Sequence, residues 1–390
     1  MEIKKLTEKD YLESMNLSMY AFQYEVPEAD IPKRKETLKE HNVLCIWDDE
    51  QLAAKLHILP LSVYVQGQEW KMGGVAGVAT YPEYRRRGFV KSLILESLKE
   101  MREAKQIISL LHPFDIGFYR KFGWEIMSDY KKSTIEKLDL KKVGEVSGVV
   151  KRFTKEKHTS QIEDIYKEFA KQYSGTLVRT TKWWLNHVYH NQQVAVYFNE
   201  QGHGKGYIVY SLKDNVMDIQ EVVTLNHEAE KGLWNFICQH DSMVDKVNII
   251  TSIHTNFPYY LNQPKVKMEV YPYFMARIVD VERCLELFTF NSTDKDVFLH
   301  VDDSFSPWNN GTYQISSTGV KVFKNKPGSQ CTNPPKVGIH LNINALTAIL
   351  LGYKRPQELF YLEEISGRTE DIEALESLVP NQKSFFYDFF

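Results

Sequence analysis

The chain has 390 residues, 43% of them hydrophobic, and its 48 Lys and Arg almost balance its 51 Asp and Glu. At roughly 100–200 residues per domain that length gives two to four domains, and a net charge of −3 excludes the global basic field of a nucleic-acid coat. No apolar run reaches the ~18–20 residues of a membrane helix, so neither a nucleic-acid nor a membrane partner is expected. The start, Met1-Glu2-Ile3-Lys4-Lys5-Leu6, lacks the apolar segment of a signal peptide. Cys45, Cys238, Cys284 and Cys331 are scattered, with no CxxC and no paired spacing. That pattern points to reduced thiols in the cytoplasm rather than to a disulfide framework.

In chain order, 6–24 has helical spacing. Residues 43–47 read as a strand, Asp48-Asp49-Glu50 as its turn and 52–60 as the return strand. A short strand at 63–65 and a Gly-, Val- and Ala-rich strand at 71–80 follow. Residues 93–101 then read as a helix, 107–111 as an apolar strand and 118–122 as a short helix. Strands outnumber helices, as in an α/β or α+β domain. From about Val150 the order restarts: a helix at 162–173, a hairpin from 194–198 to 206–212, a strand at 221–224, a helix at 227–240 and a strand at 247–253. The repeated order predicts a degenerate structural repeat. A third segment from about Asp280 has strands at 297–302, 311–316 and 320–323, a period-2 strand at 337–343 and an apolar helix at 345–351. Three prolines and a glycine make 325–335 a loop. The ending Ser384-Phe385-Phe386-Tyr387-Asp388-Phe389-Phe390 is too aromatic for a frayed tail and is expected to be buried.

The informative stretch is Gly73-Gly74-Val75-Ala76-Gly77-Val78-Ala79-Thr80-Tyr81-Pro82-Glu83-Tyr84-Arg85-Arg86-Arg87-Gly88-Phe89-Val90. A small-residue strand runs into a turn of three arginines and a glycine, and a helix begins. Outward-pointing amides and a positive dipole at the helix start, close main-chain approach at Gly88 and charge-assisted arginine contacts suit a pyrophosphate. Three arginines alone would be a solvated basic turn; the strand before and the helix after favour the phosphate reading.

Val78-Ala79-Thr80 followed by Arg85-x-x-Gly88 resembles the acetyl-CoA-binding motif of the GNAT N-acetyltransferases, with Val90 where that family usually has Gly or Ala. The whole string is similar to the Eis-like (enhanced intracellular survival) subfamily. The likeness continues at Leu110-Leu111-His112-Pro113-Phe114, Ile116-Gly117-Phe118-Tyr119-Arg120-Lys121-Phe122-Gly123-Trp124, Phe298-Leu299-His300-Val301-Asp302-Asp303, Pro307-Trp308-Asn309-x-Gly311 and the aromatic ending. It implies an α+β chain of two tandem GNAT-like domains plus a C-terminal α/β domain like sterol carrier proteins. The expected spans are 1–150 for the acetyl-CoA-binding catalytic domain, 151–284 for a degenerate second one and 285–390 for the carrier-like domain. The second helix start, Leu225-Asn226-His227-Glu228-Ala229-Glu230-Lys231-Gly232, has no Arg-x-x-Gly and carries acid that repels a pyrophosphate.

The resemblance assigns acetyl-CoA contacts to Val78, Ala79, Thr80, Arg85, Arg86, Arg87, Gly88, Phe89, Val90, Lys91, Phe114 and Asp115, and catalysis to Tyr119 and Phe390. Main-chain N–H groups near Val78 and Thr80 would polarise the thioester carbonyl. Tyr119 would protonate the leaving thiolate. With a thiol pKa near ~8.5 and a tyrosine near ~10, that step is uphill by about 2 kcal/mol, a cost Arg120 or Lys121 would lower. The terminal carboxylate of Phe390 would serve as base, its pKa raised by burial among Phe385, Phe386, Tyr387 and Phe389 or its task deferred until after attack. No cysteine lies in the motif to carry an acyl group, so attack is direct, in a ternary complex.

The implied acceptors are primary amines of aminoglycosides, lysine side chains or other polyamines. The implied assembly is a homo-oligomer, up to a hexamer. His187 and His190 have helical spacing but no third ligand, so no metal is expected. His112 suits a pocket or a core, and Trp183-Trp184 a core or interface. Glu25, Glu28 and Asp30 suit acceptor charge or a solvated loop, and Asp388 is the better acceptor contact. The competing readings are a non-catalytic CoA- or lipid-binding assembly protein and a phosphate-ester enzyme that lacks a Walker lysine.

Overall fold

The computed structural model describes residues 2–190, 192–259, 261–323 and 335–390. The predicted loop at 325–335 (except Pro335) and Cys331 lie outside them. The strands are β1 (Ile3–Lys5), β2 (Asn42–Asp48), β3 (Gln51–Val65), β4 (Gln68–Thr80), β5 (Ile108–Leu111), β6 (Glu125–Glu136), β7 (Val149–Phe153), β8 (Gln193–Phe198), β9 (Gly204–Lys213), β10 (Val216–Thr224), β11 (Lys246–Thr251), β12 (Lys267–Ile278), β13 (Val297–Asp302), β14 (Gly311–Ser316), β15 (Gly319–Phe323), β16 (Ile339–Asn342) and β17 (Ile365–Ser366). The helices are α1 (Tyr11–Phe22), α2 (Ile31–Leu38), α3 (Phe89–Glu103), α4 (Ile116–Arg120), α5 (Ser160–Ala170), α6 (Thr181–Trp183), α7 (His227–Cys238), α8 (Val281–Leu287), α9 (Ile343–Leu350), α10 (Pro356–Tyr361) and α11 (Thr369–Leu378). Among the described residues, no helix is long and apolar enough to cross a membrane.

Among the described residues, twelve strands form one sheet in the order β1-β2-β3-β4-β5-β12-β6-β11-β10-β9-β8-β7. Its two halves have the same plan. In each, a long strand (β4 or β10) leads into a helix (α3 or α7) and then a short parallel strand (β5 or β11). The halves are interleaved rather than abutted. β12 pairs with β5 from Met275↔Leu111 to Ile278↔Ile108 on one side, and with β6 from Lys267↔Thr134 to Ala276↔Glu125 on the other. The remaining strands form a separate sheet, β15-β14-β13-β16-β17.

β3 continues through Pro60, where the sequence suggested a break. β2 pairs with β3 only as far as Ile58, so Pro60 lies beyond a neighbour that would need its N–H, and it still pairs with Gly73 on the β4 side.

Arg277 on β12 is fully buried. It donates to both carboxylate oxygens of Asp303 at 2.7 and 2.9 Å and to Ser306 Oγ at 2.7 Å. Asn309 Nδ2 donates to the same carboxylate at 2.9 Å, and Trp308 Nε1 to Val279 O at 2.8 Å. The Asp303 and Pro307-Trp308-Asn309 motifs thus join the third domain to the end of the large sheet. Cys45, Cys238 and Cys284 are free and buried.

Candidate active site

β4 and β5 pair in parallel only from Met72↔Ile108 to Gly74↔Leu110. Beyond Gly74 the strands part, because β4 turns toward β3 and runs on to Thr80 while β5 ends at Leu111. Within that stretch the β3–β4 register slips between Lys55↔Ala79 and His57↔Ala76, so Gly77 and Val78 face Leu56 alone. A bulge of this kind releases main-chain groups from the ladder, and it falls at Val78, where the thioester carbonyl was expected to be polarised. Ala79 is buried; Val78 and Thr80 are half-buried.

The arginine elbow follows. A short turn at Pro82–Tyr84 buries Tyr84, and Arg86 (φ +65°) and Gly88 (φ +81°) both take left-handed backbone. Gly88 is therefore at a position that disfavours side chains, and a Cβ there would meet nothing within 4 Å. α3 starts at Phe89 with no acidic residue in its first turn, so the amides of Phe89, Val90 and Lys91 stand at an open, electropositive end. The Phe89 and Val90 side chains turn into the first-domain core. Arg85, Arg86 and Arg87 are exposed. Arg87 lies 4.0 Å from Asp48 and over the Tyr84 ring, whereas among the described residues no carboxylate pairs with Arg85 or Arg86. Lys91 reaches the Phe305 ring (5.8 Å) instead of the elbow.

The corresponding end of α7 differs. The Asn226 side chain accepts from Ala229 N, and Glu228 and Glu230 occupy the first turn. That end is capped and acidic, as its sequence implied.

Tyr119, on α4, is 4% exposed in the core with Leu111, Val75 and Met275, its ring edge-on to Phe114, Phe118 and Trp124. Burial raises its pKa well above the usual tyrosine value. The expected lowering by Arg120 does not occur, because Arg120 donates to both Glu125 oxygens at 3.0 Å and its charge is spent there. Phe114 is exposed, and the Asp115 carboxylate accepts from Phe118 N as the N-cap of α4. The capping bond gives Asp115 a structural task at the site expected for an acetyl-CoA contact.

The C-terminal segment threads between the domains with strand-like alternation. Phe386 and Phe390 join the core shared by the first and third domains, while Phe385 and Tyr387 join that of the second. Tyr130 OH donates to Tyr387 O (2.8 Å), Tyr273 OH to Asp388 O (3.0 Å), and Tyr387 OH to Val222 O (3.0 Å). The Phe390 ring then lies on Gly74, where a Cβ would stand 2.8 Å from Phe390 Cε2. The last residue thus sits where β4 and β5 begin to part. Phe389 departs from the expectation of burial. It is 61% exposed, its ring against His112 at 5.2 Å, because the parted strands leave nothing to cover it. His112 also contacts Tyr273 and Phe274, and desolvation lowers its pKa.

Asp388 is not an acceptor contact. It is buried, and its carboxylate accepts from Arg179 Nε (2.9 Å) and Trp183 Nε1 (2.7 Å). Arg179 also donates to Glu221 and lies over the Tyr166 ring (4.0 Å) and beside the Trp184 ring (4.8 Å). Gly74, Arg179, Tyr130 and Tyr273 were not singled out in the sequence. Only Gly74 carried a local signal, as half of a Gly-Gly pair inside a strand. Glu25 and Glu28 are exposed ahead of α2. His187 stacks on Trp183 (4.0 Å), and among the described residues no group of three or more His, Cys, Asp or Glu could hold a metal ion.

Models of the acetyltransferase (GNAT) domain match residues 2–127 and 175–278, and a model of the sterol carrier protein domain matches 281–387. The N-acetyltransferase Eis of Mycobacterium tuberculosis (strain ATCC 25177 / H37Ra) is 22% identical over 336 residues, 80% of each chain. A probable N-acyltransferase from Enterococcus faecalis V583 superposes with a TM-score of 0.92 at 27% identity, over 100% of this chain and 99% of that one. Eis1 from Mycobacterium abscessus superposes with a TM-score of 0.82 at 19% identity over the whole of both chains. Two GNAT domains followed by a sterol carrier domain define a tandem acetyltransferase. The chain belongs to the GNAT acetyltransferases, has Eis among its homologues, and is an acetyl-CoA-dependent N-acetyltransferase.

Proposed function

We propose that the first domain, at 1–150 with its cleft between β4 and β5, transfers acetyl from acetyl-CoA to a primary amine by direct attack in a ternary complex. The diphosphate is held by the amides of Gly88, Phe89 and Val90 with Arg85 and Arg86. The pantetheine arm follows the parted strands, and the thioester oxygen takes main-chain N–H groups at the bulge near Val78 and Thr80. The amine nitrogen attacks the carbonyl carbon, the C–S bond breaks, and Tyr119 gives its phenolic proton to the departing sulfur. Burial keeps Tyr119 in its acid form at neutral pH. It also raises the cost of full transfer above the ~2 kcal/mol of an exposed tyrosine, unless the thiolate is equally desolvated. The nitrogen is far more acidic once bonded to the tetrahedral carbon, and its proton passes to the terminal carboxylate of Phe390.

The observation that carries this reading is the Phe390 ring on Gly74, at the mouth of the cleft. No cysteine lies along the elbow or α4 to take the acyl group. The acceptors we propose are aminoglycosides, lysine side chains or other polyamines, in a reduced cytoplasmic setting. The degenerate domain (151–284) and the carrier-like domain (285–390) hold the tail in place. Exposed Met268 and Val270, which share one face of β12, offer an apolar patch for a homo-oligomer, up to a hexamer.

Acetyl-CoA turnover over an amine panel tests this, with wild type, Tyr119→Phe and a one-residue C-terminal extension compared. Turnover with a primary amine and loss of kcat in both variants is expected. No turnover with any amine sinks the activity, and undiminished kcat in the variants sinks the roles.

A further inference from the structure

The second domain keeps the parted strands of the first while losing its phosphate platform. β10 and β11 pair in parallel from Val216↔Lys246 to Ile219↔Ile249, a bulge follows at Gln220, and the strands run on apart to Thr224 and Thr251. The C-terminal segment closes one side. Tyr387 OH donates to Val222 O and accepts from Val222 N (3.2 Å), where β10 has parted from β11. Beside it remains a cavity of about 180 Å³.

Its walls carry the aromatic rings of Phe169, Tyr173, Trp234, Phe257 and Tyr387, interrupted by polar side chains that include Gln172, Ser252, His254 and Asn256. Thr251 lines the cavity with its Oγ1 buried away from it. One charged group decides what could bind. Glu230 stands at the wall with its carboxylate mostly covered, which repels anions and favours a donor. An apolar cavity of roughly 150 Å³ accepts a benzene ring, so this one limits the occupant to one or two rings.

We propose that this cavity is a binding site for a small neutral aromatic molecule bearing one N–H or O–H donor. Its occupant acts on acetyl transfer through Tyr387, three residues before Phe390. The binding half stands on the cavity alone; the coupling half rests on the role given to Phe390 above.

Indole is the probe, since it has a ring and an N–H but no amine that could be acetylated. Calorimetry on the full chain is expected to show one saturable site, absent in Thr251→Met, whose longer side chain fills the cavity. A crystal soaked with indole should show the ring against Trp234 and Tyr387, and this reading does not depend on the variant folding. Indole-3-acetate, an anion, should bind at least tenfold more weakly. At saturating acetyl-CoA and amine, indole should change the wild-type kcat twofold or more and leave Thr251→Met unaffected. No saturable binding, or equal binding by Thr251→Met with the ring elsewhere in the soak, overturns the site. Equal binding of the anion overturns the ligand class, and binding with an unchanged rate overturns the coupling. Heat and density are read without turnover, so failure here is separable from failure of the acetyl-transfer mechanism.

Discussion

Arg179 and Asp388 form a buried ion pair, Nε to Oδ1 at 2.9 Å, that ties the second GNAT domain to the third residue from the end of the sequence. The guanidinium is fully engaged, with Glu221 as its second carboxylate and the Tyr166 and Trp184 rings against it. Removing one partner of such a pair strands the other charge in a dry site. Arg179→Met should cost about 3–5 kcal/mol, seen as a lower thermal midpoint, and kcat should fall with it. Arg179→Lys should not restore either, because an ammonium cannot serve both carboxylates in the planar geometry. A lysine variant with wild-type midpoint and kcat would contradict this.

Tyr119→Phe keeps the ring packing and removes only the phenolic proton. The expected outcome is a 10²- to 10⁴-fold loss in kcat with little change in KM for acetyl-CoA and an unchanged midpoint. Steady-state kinetics with a thiol-detecting assay measures it.

Gly74→Ala puts a methyl group into the Phe390 ring. The tail end must move, so kcat should drop at least tenfold while acetyl-CoA binding, measured by calorimetry, holds. Equal kcat would mean that the position of Phe390 is immaterial to turnover.

At the elbow, Arg86→Glu should weaken acetyl-CoA binding at least tenfold and flatten its salt dependence, since one phosphate contact becomes a repulsion. Gly88→Val should weaken binding too, with a stability loss of about 1–2 kcal/mol from left-handed backbone. The corresponding charge reversal in the second domain, Glu230→Arg, should not create a second acetyl-CoA site, because Asn226 still caps α7.

His41 and His57 face each other, Nδ1 to Nδ1 at 3.3 Å. Burial lowers the first to about 4 and the second well below its usual value. Both stay neutral in the folded chain while the unfolded chain protonates them near pH 6.5. Stability is therefore held above about pH 6.5 and lost as pH falls toward the folded values, by ~2 kcal/mol at pH 5 for His41 alone. Thermal midpoints from pH 7.5 to 5 should fall, and His41→Phe should blunt the fall.

The sequence made the elbow legible because its parts are local: strand end, arginines, glycine and helix start lie within twenty residues. The tandem repeat was legible from element order, and the strands at 297–302 and 311–316 have the predicted bounds. What stayed hidden is non-local. Nothing near Arg179 signals that it meets Asp388, and nothing in the pattern of β12 places it between β5 and β6. Tyr119 looked open to help from Arg120 because adjacency along a helix says nothing of Glu125 claiming that charge. Phe389 looked buried by composition, although the second-domain core that covers Phe385 and Tyr387 does not extend to it.

The interleaving of β12 has a consequence for how the enzyme comes into being. β5, the strand flanking the proposed cleft, gains its second neighbour only when residue 278 has left the ribosome. Until then a nascent first domain presents a raw edge, open to wrong pairing. Shortened versions ending near residue 150 should therefore clump rather than work, and the two halves should unravel in concert rather than one at a time.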